Sequence, residues 1–146
     1  MLFNSPGYDS AGNLYVDGVP NDENTFLFSE LPKGSGSLTN ITLDQYIGYA
    51  GPVQWDGKYV AVADNNVICR FGIAGSSATL KGTVNPGSAQ SLYSTWIEGK
   101  KVIGSDEEEP DTTFYWNYPA GGQPIKTLQL KGIGAPVGAT ISKAPQ

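Results

Sequence analysis

The sequence contains no histidine and only one cysteine, Cys69, in 146 residues. Without histidine, the chain cannot supply a histidine base, a histidine metal ligand or any catalytic triad that includes histidine. A single cysteine cannot form a disulfide within the chain. Since Cys69 lies inside an apolar run, we interpret it as a small buried side chain.

Long apolar runs and helical patterns are also absent. No stretch of about 18 apolar residues occurs, so the sequence predicts no membrane-spanning segment. No window shows the 3.6-residue periodicity of an amphipathic helix. Polar residues follow Met1-Leu2-Phe3 directly, so we expect no signal peptide in this chain.

Charge is scarce and mostly negative. Asp, Glu, Lys and Arg together make up 16% of the residues, and the net charge is −5. Globular domains usually reach about 25% charged residues. The negative balance argues against binding to nucleic acid, whose phosphates require a basic surface.

Glycine, proline and short apolar runs are abundant, with 19 glycines and 10 prolines. Between Tyr49 and Ser88, turns separate four apolar runs. The first turn is Asp56-Gly57, a dipeptide that supplies the positive φ angles of a tight hairpin. The pattern predicts a four-stranded antiparallel meander, and with it an all-β fold.

The meander recurs along the chain. Asp17, Asp64 and Asp106 end similar strands and lie 47 and 42 residues apart. A period of roughly 40–50 residues is typical of propellers and solenoids. We therefore predict one domain over residues 1–146, with three four-stranded repeats at approximately 1–45, 46–88 and 89–133.

Residues 134–142 resemble the first strand of a further repeat that lacks its other strands. An unpaired first strand at the C-terminus can complete the first sheet of another copy, which closes a ring and removes exposed sheet edges. The side chains predicted to make this closure are Pro136, Val137, Ala139 and Ile141.

Three segments carry a resemblance to a known family: GYDSAGNLYVDG at 7–18, GPVQWDGKYVAVAD at 51–64 and ICRFGIAG at 68–75. They resemble blades of six-bladed β-propellers of the SMP-30/gluconolactonase and NHL-repeat type, a group that includes secreted bacterial proteins. The resemblance implies a half-propeller of about three blades. It also implies that members with lactonase activity bind metal through acidic and amide residues near the central channel.

Three blades would form an open fan with an apolar face at each end. Even a few hundred Å² of such surface is worth several kcal/mol at about 25 cal/mol/Å². We therefore expect self-association, with a homodimer that closes a six-bladed ring by strand exchange as the first hypothesis. A larger oligomer, and a small monomeric barrel or sandwich, remain open.

Acidic residues concentrate in the turns between second and third strands. Nine of the fourteen acids lie there: Asp17, Asp22, Glu23, Asp64, Asp106, Glu107, Glu108, Glu109 and Asp111. These turns can simply be solvated, or they can attract a basic partner. A third hypothesis is a site for Ca²⁺ or another divalent cation at Asp17, Asp64 and Asp106, because such ions take six to eight oxygen ligands.

Two functions remain open on the sequence alone. The first is a non-enzymatic binding or structural module, for which aromatic side chains form a channel or a platform for a saccharide. The alternative, implied by the resemblance, is a metal-dependent lactone hydrolase that uses the three equivalent aspartates. No repeat carries a distinctive polar insertion, and the acids look equivalent in all three repeats, which favours the binding module. Aromatic residues can equally pack between sheets, and the candidates are Trp55, Tyr59, Tyr93, Trp96, Tyr115, Trp116 and Tyr118.

Overall fold

The computed structural model describes residues 2–20, 25–134 and 136–142. These ranges contain thirteen β-strands and no helix, which confirms the predicted all-β class. It follows that the described residues include no helix long and apolar enough to cross a membrane. Asp22, Glu23 and Ala135 lie outside the described residues.

Sheet 1 is a four-stranded antiparallel meander with its strands in chain order. In β1 the register shifts between Phe3 and Pro6, where the sequence places a Pro-Gly break. The strands are β1 (Leu2–Tyr8), β2 (Leu14–Val19), β3 (Leu27–Leu31) and β4 (Thr39–Asn40).

Sheet 2 has five strands in the order β5-β9-β8-β7-β6. Strands β6 to β9 form an antiparallel meander. Strand β5 adds to this meander by pairing in parallel with β9, its fourth strand. The strands are β5 (Thr42–Leu43), β6 (Val53–Trp55), β7 (Val60–Asp64), β8 (Val67–Ala74) and β9 (Ser77–Val84).

Sheet 3 repeats the four-stranded antiparallel meander of sheet 1. Its first two strands join at the tight turn after Glu98. The strands are β10 (Leu92–Glu98), β11 (Lys101–Asp106), β12 (Thr112–Asn117) and β13 (Gly121–Gln129).

Two apolar clusters pack between the sheets, one on each side of sheet 2. Strand β7 shows why, since successive side chains of a strand point to opposite faces. Val60 and Val62 join the cluster with sheet 1, and Ala61 and Ala63 join the cluster with sheet 3. All four are at most 1% exposed, so sheet 2 is buried on both faces.

The outer sheets have only one face in these clusters. In sheet 1, Tyr15 and Phe28 pack toward sheet 2, so Leu14, Leu27 and Leu31 occupy the opposite face and are only half-buried. In sheet 3, Val102 and Trp116 pack toward sheet 2.

The opposite face of sheet 3 carries a cross-strand row of Trp96, Ile103 and Tyr115. Trp96 is 41% exposed, although the neighbouring Ile103 is buried. We call these two surfaces the outer face of sheet 1 and the outer face of sheet 3.

The sequence predicts one fourth strand in the first repeat over residues 38–43, and this prediction is wrong. The structure divides it at Ile41, which is buried and whose N–H donates to the carbonyl of Phe28. The next N–H, from Thr42, donates instead to Ser76 of the second repeat. The chain thus passes from sheet 1 to sheet 2 at the buried Ile41.

The described residues 136–142 form no strand in the single chain. Pro136 is buried, Ala139 and Ile141 are half-buried, and Val137 is 67% exposed. Closure of a ring by these residues requires a second copy, so it stays a prediction.

Gly51 offers a test of the close approach between the entry to β6 and strand β7. A Cβ at Gly51 would overlap the carbonyl oxygen of Ala63, whose own N–H is held by Pro52 at 3.0 Å. We expect Gly51→Ala to lower the free energy of unfolding by about 1–3 kcal/mol in urea denaturation. Gly36→Ala is the matched control, because a Cβ there meets no atom within 4 Å. Equal stability of the two variants would contradict the packing described here.

Candidate functional site

The first strands of the three meanders, β1, β6 and β10, line one open groove of about 650 Å³. We call it the central groove and define it by residues 4–10 of β1 and its turn, 52–55 around β6, 93–96 of β10, and Val137. The antiparallel meanders create this arrangement, because each presents its first strand on the same side of the molecule.

The three strands of the groove are sheet edges. Each of β1, β6 and β10 pairs on one side only, with the second strand of its own meander. Gln54 of β6 satisfies part of the β10 edge, since its amide donates to the Ile97 carbonyl and accepts from the Ile97 N–H, both at 2.7 Å. This two-bond contact fixes the spacing of sheets 2 and 3 at the groove.

Large aromatic side chains border the groove and remain accessible. Tyr8 is 66% exposed, Tyr93 is 56% exposed and Trp96 is 41% exposed, while Trp55 is half-buried. Exposed aromatic patches of this kind commonly mark binding surfaces.

Asp9 is the one charged side chain among the described residues that line the groove. Its Oδ1 accepts the N–H groups of Ala11 and Asn13 at 2.8 and 2.9 Å, and its Oδ2 accepts from the Asn13 amide at 2.9 Å. Partial burial raises the pKa of this carboxyl, but the hydrogen bonds from Asn13 and Ala11 outweigh it and lower the pKa below 3.8. Asp9 therefore organises its own turn.

Asp17 ends β2 and is fully buried. Its two oxygens accept N–H groups from Ser5 of β1 at 3.1 Å and from Gly51 at 2.9 Å. Burial raises its pKa to about 6, although these hydrogen bonds act in the opposite direction. The carboxylate thus ties sheet 1 to the entry of sheet 2.

Asp64 and Asp106 occupy the same position in the next two repeats, and each accepts N–H groups from the segment that enters the first strand of its own repeat. Asp64 accepts the N–H groups of Gly48 and Tyr49 at 3.1 and 2.9 Å. Asp106 accepts those of Gln90 and Ser91 at 2.7 and 3.1 Å, together with the N–H of Glu108 at 3.0 Å. Each aspartate therefore holds the segment that leads into a first strand.

The three aspartates predicted to bind a cation lie in three different sheets. Among the described residues, no group of three or more acidic or cysteine side chains lies close enough to hold a metal. The sequence correctly identifies the aspartates as equivalent, but their observed partners are backbone N–H groups. The geometry gives the Ca²⁺ hypothesis no support.

A polar cluster that the sequence does not predict lies between sheets 2 and 3. Asp56 Oδ2 accepts from Arg70 Nε and from the Tyr118 hydroxyl, each at 2.6 Å, and the Asp56 side chain is fully buried. The Arg70 guanidinium lies 5.0 Å from the ring centre of Tyr59 and 5.3 Å from that of Tyr118. Burial raises the pKa of Asp56, but hydrogen bonds from Tyr118, Tyr59 and Arg70 outweigh it and lower the pKa.

One signal in the sequence points to this cluster. Arg70 is the sole arginine of the chain and lies inside an apolar strand, where a guanidinium requires a partner. The turn at Asp56 supplies that partner, in addition to accepting the N–H groups of Lys58 and Tyr59.

The remaining aromatic candidates pack in the protein rather than face the groove. Trp116 is fully buried, and its Nε1 donates to the Gly87 carbonyl at 2.9 Å. Tyr59 and Tyr118 stack on Arg70, and Tyr115 lies on the outer face of sheet 3.

Cys69 is buried, as the sequence predicts. Burial, with a contribution from Asp64, raises the pKa of its thiol to about 11.

The sequence matches no protein-family model, and no curated protein is significantly similar to it. The resemblance to propeller blades therefore depends on the quoted segments, while the meanders and the groove are observed independently of it.

The buried carboxylate of Asp17 predicts a specific pH dependence of the free energy of unfolding. Since burial raises its pKa from 3.8 to about 6, the associated stabilisation is complete below pH 3.8 and is lost as the pH rises through 6. We expect the free energy of unfolding to fall by roughly 2–3 kcal/mol between about pH 4 and pH 7. The three acids with lowered pKa values, Asp9, Asp56 and Asp111, titrate below this window.

Chemical denaturation across that range measures the effect, with Asp17→Asn as the comparison. The variant carries no titrating group at this position, so its stability should change less with pH than that of the wild type. Parallel pH profiles for the two proteins would contradict the assignment.

The Asp56 cluster predicts that Tyr118→Phe destabilises the fold. The change removes one hydrogen bond to a fully buried carboxylate, so we expect a loss of about 1–3 kcal/mol in the free energy of unfolding. Tyr115→Phe, a tyrosine of β12 outside the cluster, is the matched control. Thermal or urea unfolding of both variants makes the comparison, and similar losses would argue against a special role for the Tyr118 hydroxyl.

Proposed function

We propose that this chain is a non-enzymatic binding module that forms half of a six-bladed β-propeller, and that two copies close the ring. The observation that carries the proposal is that three successive meanders place their first strands around one groove. In a propeller the first strand of every blade faces the central channel, so the central groove corresponds to half of that channel.

The two outer faces provide the surfaces for closure. The outer face of sheet 1 carries the exposed Phe3 and Tyr8 beside half-buried leucines. The outer face of sheet 3 carries Trp96 and Tyr115. A two-fold axis through the groove brings the outer face of sheet 1 in one copy against the outer face of sheet 3 in the other. This contact occurs twice in the dimer, so every apolar face is covered.

The C-terminal segment lies where strand exchange would begin. Val137 lines the groove together with Trp96 and Asn4, and residues 136–142 pair with no sheet of their own chain. From this position, Pro136, Val137, Ala139 and Ile141 can add to a first strand of the second copy.

The lactone hydrolase alternative has less support. It was implied by the resemblance, and its three aspartates hold backbone N–H groups in separate sheets. The proposed module thus binds rather than hydrolyses, and a screen for lactone hydrolysis with and without divalent metal tests this distinction. Turnover that a chelator abolishes would overturn it.

Ring closure predicts a mass of twice the 15.5 kDa chain in light scattering. Phe3→Asp and Tyr8→Asp should shift the protein to the monomer, because each puts a charge into the contact without disturbing a side chain buried in the single chain. Tyr46→Asp is the control, since Tyr46 is 82% exposed and lies outside both outer faces. A stable wild-type monomer at micromolar concentration would overturn the ring.

Strand exchange can be tested separately with Val137→Asp. A charge at this position should weaken the dimer if residues 136–142 pair with the other copy. Retention of full dimer affinity would limit the contact to the two outer faces.

A further inference from the structure

We propose that the central groove binds a neutral carbohydrate, whose sugar rings stack on the exposed aromatic side chains. The inference rests on the proposed binding function and names its ligand class. Three properties of the groove support it: aromatic exposure, uncharged hydrogen-bonding groups and the near absence of charge.

The aromatic rings supply the apolar part of such a contact. Tyr93 of β10 is 56% exposed, lies outside the cross-strand row that the ring covers, and shares the groove with Trp55 of β6. A sugar ring has a flat face of C–H groups and a rim of hydroxyls, so it can cover an aromatic face while its polar groups remain solvated or hydrogen-bonded.

The strand edges supply the polar part. Hydroxyl groups of a sugar both donate and accept, and a ligand of this kind requires a mixture of donors and acceptors. The edge of β10 carries no strand partner and presents N–H and C=O groups alternately. The hydroxyls of Ser10 and Thr95 add groups that can do either.

The charge of the groove selects against other ligands. Its described lining contains no lysine or arginine to pair with a phosphate, a sulfate or a uronate. Its single carboxylate, Asp9, is held by its own turn. A basic peptide would find more negative charge on Glu107, Glu108 and Glu109, which lie in an exposed turn. A neutral polyhydroxylated ligand is therefore the best match.

Tryptophan fluorescence provides a direct measurement on the intact chain. Trp55 and Trp96 line the groove, whereas Trp116 is fully buried. The protein is titrated with neutral oligosaccharides that together cover α- and β-linked glucose, mannose, galactose, xylose and N-acetylglucosamine. We expect a saturable change in tryptophan fluorescence with at least one of them. Oligogalacturonate should bind more weakly, by a factor of about ten or more.

Tyr93→Ala tests the site, because the exposed side chain can be removed without opening the core. We expect it to weaken binding of the same oligosaccharide by about tenfold. Tyr46→Ala, a similarly exposed tyrosine outside the groove, should bind as the wild type does. Circular dichroism and light scattering on every sample establish that the fold and the oligomeric state are unchanged.

The inference is overturned if no neutral oligosaccharide gives a saturable change, if Tyr93→Ala binds as tightly as the wild type, or if oligogalacturonate binds equally well. If no neutral oligosaccharide binds, the occupant of the groove would instead be the chain's own C-terminal segment or the second copy. Light scattering distinguishes a failure of the carbohydrate hypothesis from a failure of the hypothesis that two copies close a ring. A dimer that binds no sugar overturns the ligand alone, and a monomer that binds sugar overturns the ring alone.

Discussion

The burial of sheet 2 on both of its faces is the constraint on which the rest of the structure depends. Strand β7 alternates valine and alanine, with Val60 and Val62 toward sheet 1 and Ala61 and Ala63 toward sheet 3. The small alanine side chains leave room for Trp116 and Phe114, which fill the second cluster. A central sheet packed in this way requires one sheet on each side, and the neighbouring repeats supply both.

The sheets pack face to face, and carboxylates at the ends of the second strands fix the segments that connect them. Asp17, Asp64 and Asp106 lie at the same position of three meanders, and each accepts backbone N–H groups from a segment that enters a first strand. For Asp17 the cost of burying the charge exceeds the gain from its hydrogen bonds, which raises its pKa. Asp17 thus holds the entry to β6 although burial disfavours its charge.

The same arrangement explains why the groove exists. First strands that are held at their entry and paired on one side bring three sheet edges to a common line. Gln54 joins two of these edges through Ile97, and the Asp56–Arg70 pair joins the same two sheets through Tyr118. Polar contacts therefore set the geometry of a surface on which aromatic side chains remain exposed. This combination of a rigid frame and accessible rings supports a role in binding.

The sequence by itself determined the all-β class, the four-stranded meanders and the equivalence of the three aspartates, because alternating apolar residues and turn dipeptides are local signals. It did not reveal that the chain passes between sheets at Ile41, or that the aspartates accept backbone N–H groups. It also did not distinguish Tyr93 and Trp96 at the groove from the buried Trp116. Only the tertiary structure decided these points, because each depends on which segments the folded sheets bring together, and strands of similar composition have different surroundings once the sheets are packed.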